Sequence, residues 1–177
     1  MSKNFIPISR WVMEQEDRGL TGVVTNLMDA GGRTRFGIAE HFNPTVPDSF
    51  FSTMNVMLAL TYAQGFYKKT YWNRFQGDNI NSDQVASCLL SFAINDGLSR
   101  EVKMLQECLG FPAQAIDGVF GPETLLHTNG FSDTILAPAL RAAQADYYRA
   151  VVAKQPTDVR FLAGWLKRAA RIYPSLD

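Results

Sequence analysis

The chain has 177 residues, 46% of them hydrophobic, with 17 basic and 17 acidic side chains, enough apolar material for one real core and too much for a disordered chain. Its net charge of zero offers no global field to nucleic acid or to an anionic membrane surface, so neither is expected as a partner. With His41 and His127 as the only histidines, no close Cys/His/carboxylate spacing and no GxxxxGK loop, there is no visible ligand set for a metal and no cofactor is implied.

Taken in chain order, the N-terminal stretch offers only "FIPI" as an apolar patch before charge returns. Neither a secretory leader nor a membrane-spanning helix is expected, so the protein is read as made in the cytoplasm without membrane insertion. Pro7 favours a first helical turn, and Ile8, Trp11, Val12 and Gln15 recur at helical spacing, which predicts a helix from about Ile8 to Asp17. Glu14 and Glu16 fall at its end. Being two apart they cannot share a face, so only one can point into a cleft. In "DAGGRTRFGI", residues 29–38, the Gly31-Gly32 pair reads as a tight turn beside the acid Asp29. The alternation of Thr34, Phe36 and Ile38 then predicts a short strand or tongue, a poor core but a good cleft wall.

Ser52 is placed to cap a helix carrying Met54, Met57, Leu58 and Tyr62, and Ser82 to cap one carrying Val85, Cys88, Leu89 and Phe92 that stops at Gly97. Ser99 is expected to cap "REVKMLQECLG", with Gly110 just past its end. Cys88 and Cys108 fall on apolar faces of these helices and are expected to be free and buried. "IDGVFGPET" sets an Asp-Gly turn, with a few strand-like residues around Ile116 to Phe120, before a helix beginning near Pro122. A helix follows Pro138, and Thr157 opens a last one with Phe161, Leu162, Trp165, Leu166 and Ala169 as its stripe. The fold class predicted is mainly α with a small β tongue.

A carboxylate at a helix end, facing a glycine-turn tongue with a second acid, is an arrangement that can hydrolyse a glycosidic bond by acid-base catalysis. A proton donor for that reaction is best kept against apolar or aromatic surface, and Trp11 is close enough in sequence to shape such a wall. Tyr71 and Trp72 are either a stacking platform for a sugar ring or core aromatics. Asn95 either faces the glycan or only ends a helix. Asp117, Gly118 and Thr124 are either ligand machinery or a turn and a helix start.

The segments "WVMEQE", "DAGGRTRFGI", "YKKTYWNRFQGD", "LLSFAINDG", "KMLQECLG", "IDGVFGPETL" and "GWLKRA" occur in the order seen in family 108 glycoside hydrolases, and the chain resembles that family over nearly its whole length. The family comprises N-acetylmuramidases of phage endolysins and related bacterial secretion systems. The resemblance implies a lysozyme-like helical fold, with a muramidase region at 1–80 and a predicted peptidoglycan-binding region at 81–177 packed closely on it. It places the catalytic glutamate on Glu16, with Glu14 as the alternative acid, and Asp29 and Thr34 across the cleft. Substrate contacts fall to Tyr71, Trp72, Asn95, Asp117, Gly118 and Thr124. The implied activity is cleavage of the β-1,4 bond between N-acetylmuramic acid and N-acetylglucosamine in peptidoglycan, in phage lysis or in secretion through the cell wall. A holin or secretion system would provide release to the periplasm. The chain departs from the family in carrying Asp17-Arg18 where Gly-Gly follows the glutamate, which leaves a non-catalytic peptidoglycan-binding protein as the alternative.

Overall fold

Helix α1 (Phe5–Glu16) buries Phe5, Ile8, Val12 and Met13 along one stripe. It begins three residues ahead of Ile8 because Pro7 occupies its third position, where a missing N–H costs no intrahelical hydrogen bond. The computed structural model describes residues 4–26 and 31–174, so Asp29 lies outside the described residues. Immediately past α1, the Asp17 carboxylate accepts hydrogen bonds from Thr21 N (3.1 Å), Thr21 Oγ1 (2.7 Å) and Gly22 N (2.6 Å). Asp17 thereby knots the reversing chain, in which Gly19, Leu20 and Gly22 all have positive φ.

The tongue is a three-stranded antiparallel sheet, β1 (Thr25–Asn26), β2 (Arg33–Arg35) and β3 (Ile38–Ala39), in the order β1-β2-β3. Thr34 pairs with Thr25 on one side and Ala39 on the other. The alternation read through residues 33–38 is broken at Phe36-Gly37. Both residues have positive φ (49° and 78°) and form the two-residue hairpin connection that matches strand twist. Arg35, 6% exposed, fastens the tongue: its guanidinium donates to Gly22 O (2.8 Å), Phe50 O (2.6 Å) and Met54 O (2.8 Å).

Helices α2 (Asp48–Ser52) and α3 (Val56–Tyr67) follow. Ser52 is the last residue of α2, and the cap of α3 is Asn55, whose side chain accepts from Leu58 N at 3.0 Å. A π-helical turn over Lys68–Trp72 extends α3. Helix α4 (Asp83–Asp96) is capped by Ser82 as expected and closes at Gly97. Its residues from Val85 to Leu90 are all buried, because α1, α5 and α7 all pack on it.

Helix α5 (Leu98–Cys108) starts one residue before Ser99, which therefore lies in the first turn and makes no capping bond. The segment 116–120 forms no strand, and α6 begins at Pro122 and runs to Gly130. Helix α7 (Asp133–Lys154) starts ahead of Pro138 and carries it within the helix. Burial of Leu136 and Ala137, each 1% exposed, holds the preceding turn in place against the lost backbone hydrogen bond. A 3-10 turn at Pro156–Asp158 leads into α8 (Val159–Ala169), which packs on α7.

One apolar core runs through both halves of the chain, from Phe5 and Trp72 to Leu89, Leu105 and Leu136. A smaller cluster joins Phe92, Met104, Tyr148 and Ala169, with Trp165 and Leu162 against it. Both cysteines are free; Cys88 is buried and Cys108 only half-buried, since Cys108 sits at the end of α5. Burial pushes the two thiols up to about 12 and about 11. Among the described residues, no helix is long and apolar enough to cross a membrane.

Candidate functional site

Glu16, the last residue of α1, has a side chain 18% exposed, and its Oε1 is 3.4 Å from Nη2 of Arg168 in the last turn of α8. On its other side is the tip of the tongue. A Cβ built on Gly37 would lie 2.9 Å from Glu16 Cγ and 2.7 Å from Tyr67 Oη, so the absence of a side chain there lets the turn close down on the glutamate. The Tyr67 hydroxyl donates to Phe36 O at 2.5 Å, which pins the turn to α3. Burial, reinforced by the nearby Glu16, holds the Tyr67 phenol well above its usual range. Glu14, two residues earlier, is exposed and lines a different groove, with Trp11 and Arg18.

A cleft of about 240 Å³ lies over the tongue, lined by Gly37, Ile38, Phe42, Tyr71 and Asn95 among others. Asn95 also lines an adjoining hollow of about 160 Å³ with Asp96, Tyr148, Trp165 and Arg168. In that hollow Asp96 Oδ2 accepts from Tyr148 Oη at 2.7 Å, and Tyr148 stacks on Trp165 with ring centroids 5.2 Å apart. Desolvation raises the Asp96 carboxyl above its ordinary value, against the hydrogen bond from Tyr148 and the charges of Arg100 and Arg168. Arg168 thus pairs with Glu16 and lends its charge to Asp96 across the hollow. The cleft and the hollow share Asn95 and together form a trough from the tongue to α8; Glu16 lies behind its lining, against Gly37 of the cleft and Arg168 of the hollow.

Of the residues singled out in the sequence, Tyr71 and Asn95 meet in this cleft. Thr34 is half-buried in β2, its hydroxyl 3.5 Å from Gly32 O. Trp72 is elsewhere. It is 1% exposed, packed edge-on against Phe5 and Phe75, with its indole N–H donated to Asp78. Trp72 is therefore a core residue and no sugar platform in this structure. The π-helical turn separates the two neighbours, sending Trp72 inward and leaving Tyr71 half-buried at the cleft.

The loop with Asp117, Gly118 and Thr124 spends its polar groups internally. Buried Gln106 donates to Asp117 Oδ1 (2.9 Å), Val119 O (3.2 Å) and Thr124 Oγ1 (3.3 Å) and accepts from Gly118 N (3.0 Å). The Gln106 bond, together with the Val119 amide, holds the Asp117 carboxyl below its ordinary range. Gly118 has φ +76°, and a Cβ there would come within 2.7 Å of Ser99 O. These bonds build the turn and the helix start, while Asp117 itself stays exposed, with its hydrogen bonds on Oδ1. They form a knot that ties α5 to α6.

Several residues of the trough escaped the sequence reading, Phe42 and Arg168 among them. Phe42, 69% exposed on the cleft rim, carries no periodic signal because it lies between elements. Arg168 belongs to "GWLKRA", but a helix-end arginine is also what a helix macrodipole favours, so its approach to Glu16 shows only in three dimensions.

A family model for glycosyl hydrolase 108 matches residues 9–97, and one described as a predicted peptidoglycan domain matches residues 100–170. The first span contains α1 from Ser9 onward, the tongue, Tyr71 and Asn95; the second contains Lys167 and Arg168. No curated protein matches the chain. Among solved structures, that of SagA from Brucella abortus is similar with a TM-score of 0.69 at 23% identity, over 99% of each chain, a likeness of fold.

Proposed function

This chain belongs to the glycosyl hydrolase 108 family, and on that premise we propose that it is an N-acetylmuramidase, cleaving the β-1,4 bond between N-acetylmuramic acid and N-acetylglucosamine in peptidoglycan. Glu16 is the general acid that protonates the departing glycosidic oxygen. The observation that supports this most is its setting: a largely shielded carboxyl at the end of α1, closed over by the side-chain-free tip of the tongue. As Glu16 gives up its proton a negative charge forms on it, and Arg168, already 3.4 Å away, receives that charge without rearrangement. Asp29 stabilises the oxocarbenium-like transition state or orients water, and Thr34 positions one or the other. Tyr71 and Asn95 line the path of the sugars.

Asp17-Arg18, in place of two glycines, does not disable this arrangement. The Asp17 carboxylate is engaged by Thr21 and Gly22, and Arg18 lines the neighbouring groove. The wall lies beyond the cytoplasmic membrane, so the proposed route is cytoplasmic synthesis followed by release through a holin in phage lysis or through a secretion system.

A zymogram on purified sacculi tests the assignment. The wild type is expected to clear, Glu16→Gln to fold and not clear, and Glu14→Gln to keep most of the clearing. Clearing by Glu16→Gln would refute the assignment of the acid. Wild-type binding without clearing would favour a non-catalytic peptidoglycan-binding protein.

A further inference from the structure

Between the end of α1 and α8 lies a groove of about 820 Å³ with Arg18, Lys167 and Arg171 on its lining. It adjoins one of about 420 Å³ that shares Lys167 and Arg171 and adds Arg160, Arg168 and the rings of Phe161 and Trp165. Among the described residues, five cations thus face this double groove, while the one carboxylate on its lining is Glu14. The whole chain carries 17 cationic and 17 anionic side chains, so the excess is local. The helix macrodipole accounts for Lys167 and Arg168, in the last turn of α8. It does not account for Arg18, which comes from the other wall, or for Arg160, in the first turn of α8.

Among the described residues, Arg18, Lys167 and Arg171 form no ion pair. Like charges brought together without counter-ions repel one another, and an anion relieves that cost. The groove adjoins the catalytic trough at Arg168, which pairs with Glu16 and, with Trp165, lines both the smaller groove and the Asp96 hollow. A ligand in the groove therefore lies beside the proposed cut site.

The glycan of peptidoglycan has no charge for such a groove, because its sugars are N-acetylated and the lactyl carboxyl is tied up as an amide. The charges lie on the peptide stem, whose residues carry free carboxylates a few bonds from the muramic acid. Guanidinium groups match carboxylates in paired hydrogen bonds, and Trp11, Phe161 and Trp165 offer apolar wall to the stem's alkyl parts.

We propose that the groove between α1 and α8 is a subsite for the carboxylates of the peptide stem, so that the protein engages wall with carboxylated stems in preference to wall with amidated or missing stems. This rests on the muramidase reading of the trough.

The test uses the full chain with Glu16→Gln, alone and combined with Lys167→Glu and Arg171→Glu. Binding is measured to native sacculi, to sacculi whose carboxyls have been converted to amides with carbodiimide and ammonia, and to glycan stripped of stems by an amidase and then amidated in the same way, because the amidase frees the lactyl carboxyl of each muramic acid. Native sacculi should be bound about 10-fold or more tightly than either treated form, the scale of one or two charge-assisted contacts. Lys167→Glu with Arg171→Glu should bring that ratio close to one, and Lys167→Arg should keep it. Equal binding to native and amidated sacculi, or a ratio unchanged in the charge-reversed protein, overturns the proposal. So does tighter binding to vesicles of anionic phospholipid, lost on the same reversal, which would assign the groove to a membrane surface. Circular dichroism checks that the reversed protein is folded; both side chains reach solvent. Muropeptide release by the wild type is followed in parallel. Release without carboxylate preference sinks the subsite alone, whereas no release sinks the muramidase reading as well.

Discussion

Replacing Gly37 by alanine adds one methyl group at the point where the tongue touches the proposed acid. The residue sits at φ +78°, a conformation that costs an L-residue about 1–2 kcal/mol. The new Cβ would be 2.9 Å from Glu16 Cγ and 2.7 Å from Tyr67 Oη, whereas carbon atoms rest at roughly 3.5–4.0 Å. Glu16 or the turn must therefore move by about 0.6 Å or more. The Tyr67 hydroxyl is held to Phe36 O, and losing that bond would add about 1 kcal/mol. The expected stability loss is about 2–3 kcal/mol, read as a lower denaturation midpoint with an unchanged slope. Activity should fall further, since a displacement approaching 1 Å at a catalytic group costs on the order of 100-fold. Assays of muropeptide release at saturating and limiting sacculi separate the two effects. A folded Gly37→Ala with wild-type kcat and KM would refute the claim that the tongue tip positions Glu16.

Glu101 in α5 is fully buried, with Gln144 Nε2 on one oxygen at 3.1 Å and no partner on the other. Burial, with Asp96 nearby, holds its carboxyl well above the ordinary value. The folded state then retains a proton that the unfolded state releases above about pH 4.3, so stability falls as pH rises from there towards the raised value. Glu101→Gln should remove that slope and raise Tm at pH 7; a lower Tm at pH 7 together with an unaltered slope would contradict this. Arg35→Met leaves the carbonyls of Gly22, Phe50 and Met54 without their donor and should cost about 3–5 kcal/mol in chemical denaturation, mostly through the tongue. Phe42→Ala, at an exposed rim position, should leave Tm nearly unchanged while raising KM for sacculi by about 3–10-fold, the scale of one ring contact. An unaltered KM would remove Phe42 from the cleft's working surface.

Local signals in the sequence foretold the local structure. Apolar spacing at Ile8 and Val12, the Ser82 cap, Gly97 and Gly110 each mark a helix through forces acting within a few residues, and those elements stand close to where they were expected. Where packing outweighs local preference, the sequence misleads. Pro138 lies inside α7 because Leu136 and Ala137 are buried ahead of it, and Asn55 displaces Ser52 as a cap. The aromatic pair Tyr71-Trp72 gave no hint of which ring faces inward, since a π-helical turn decides it. The motif around Asp117 is wound on Gln106, a partner from another helix that no spacing announces. For the site, the helix-end glutamate and the glycine-rich tongue were readable as neighbours in sequence. The meeting of Arg168 with Glu16, and of Asp96 with Tyr148, depends on α8 reaching the end of α1 and α7 packing on α4.

The most direct measurement is the identity of the sugar at the newly formed reducing end. Sacculi digested with the wild-type protein, reduced with borohydride and analysed by mass spectrometry should yield muropeptides ending in reduced N-acetylmuramic acid, with none above background from Glu16→Gln. Muropeptides ending in reduced N-acetylglucosamine, or equal release by Glu16→Gln, would contradict the assignment of a muramidase whose acid is Glu16.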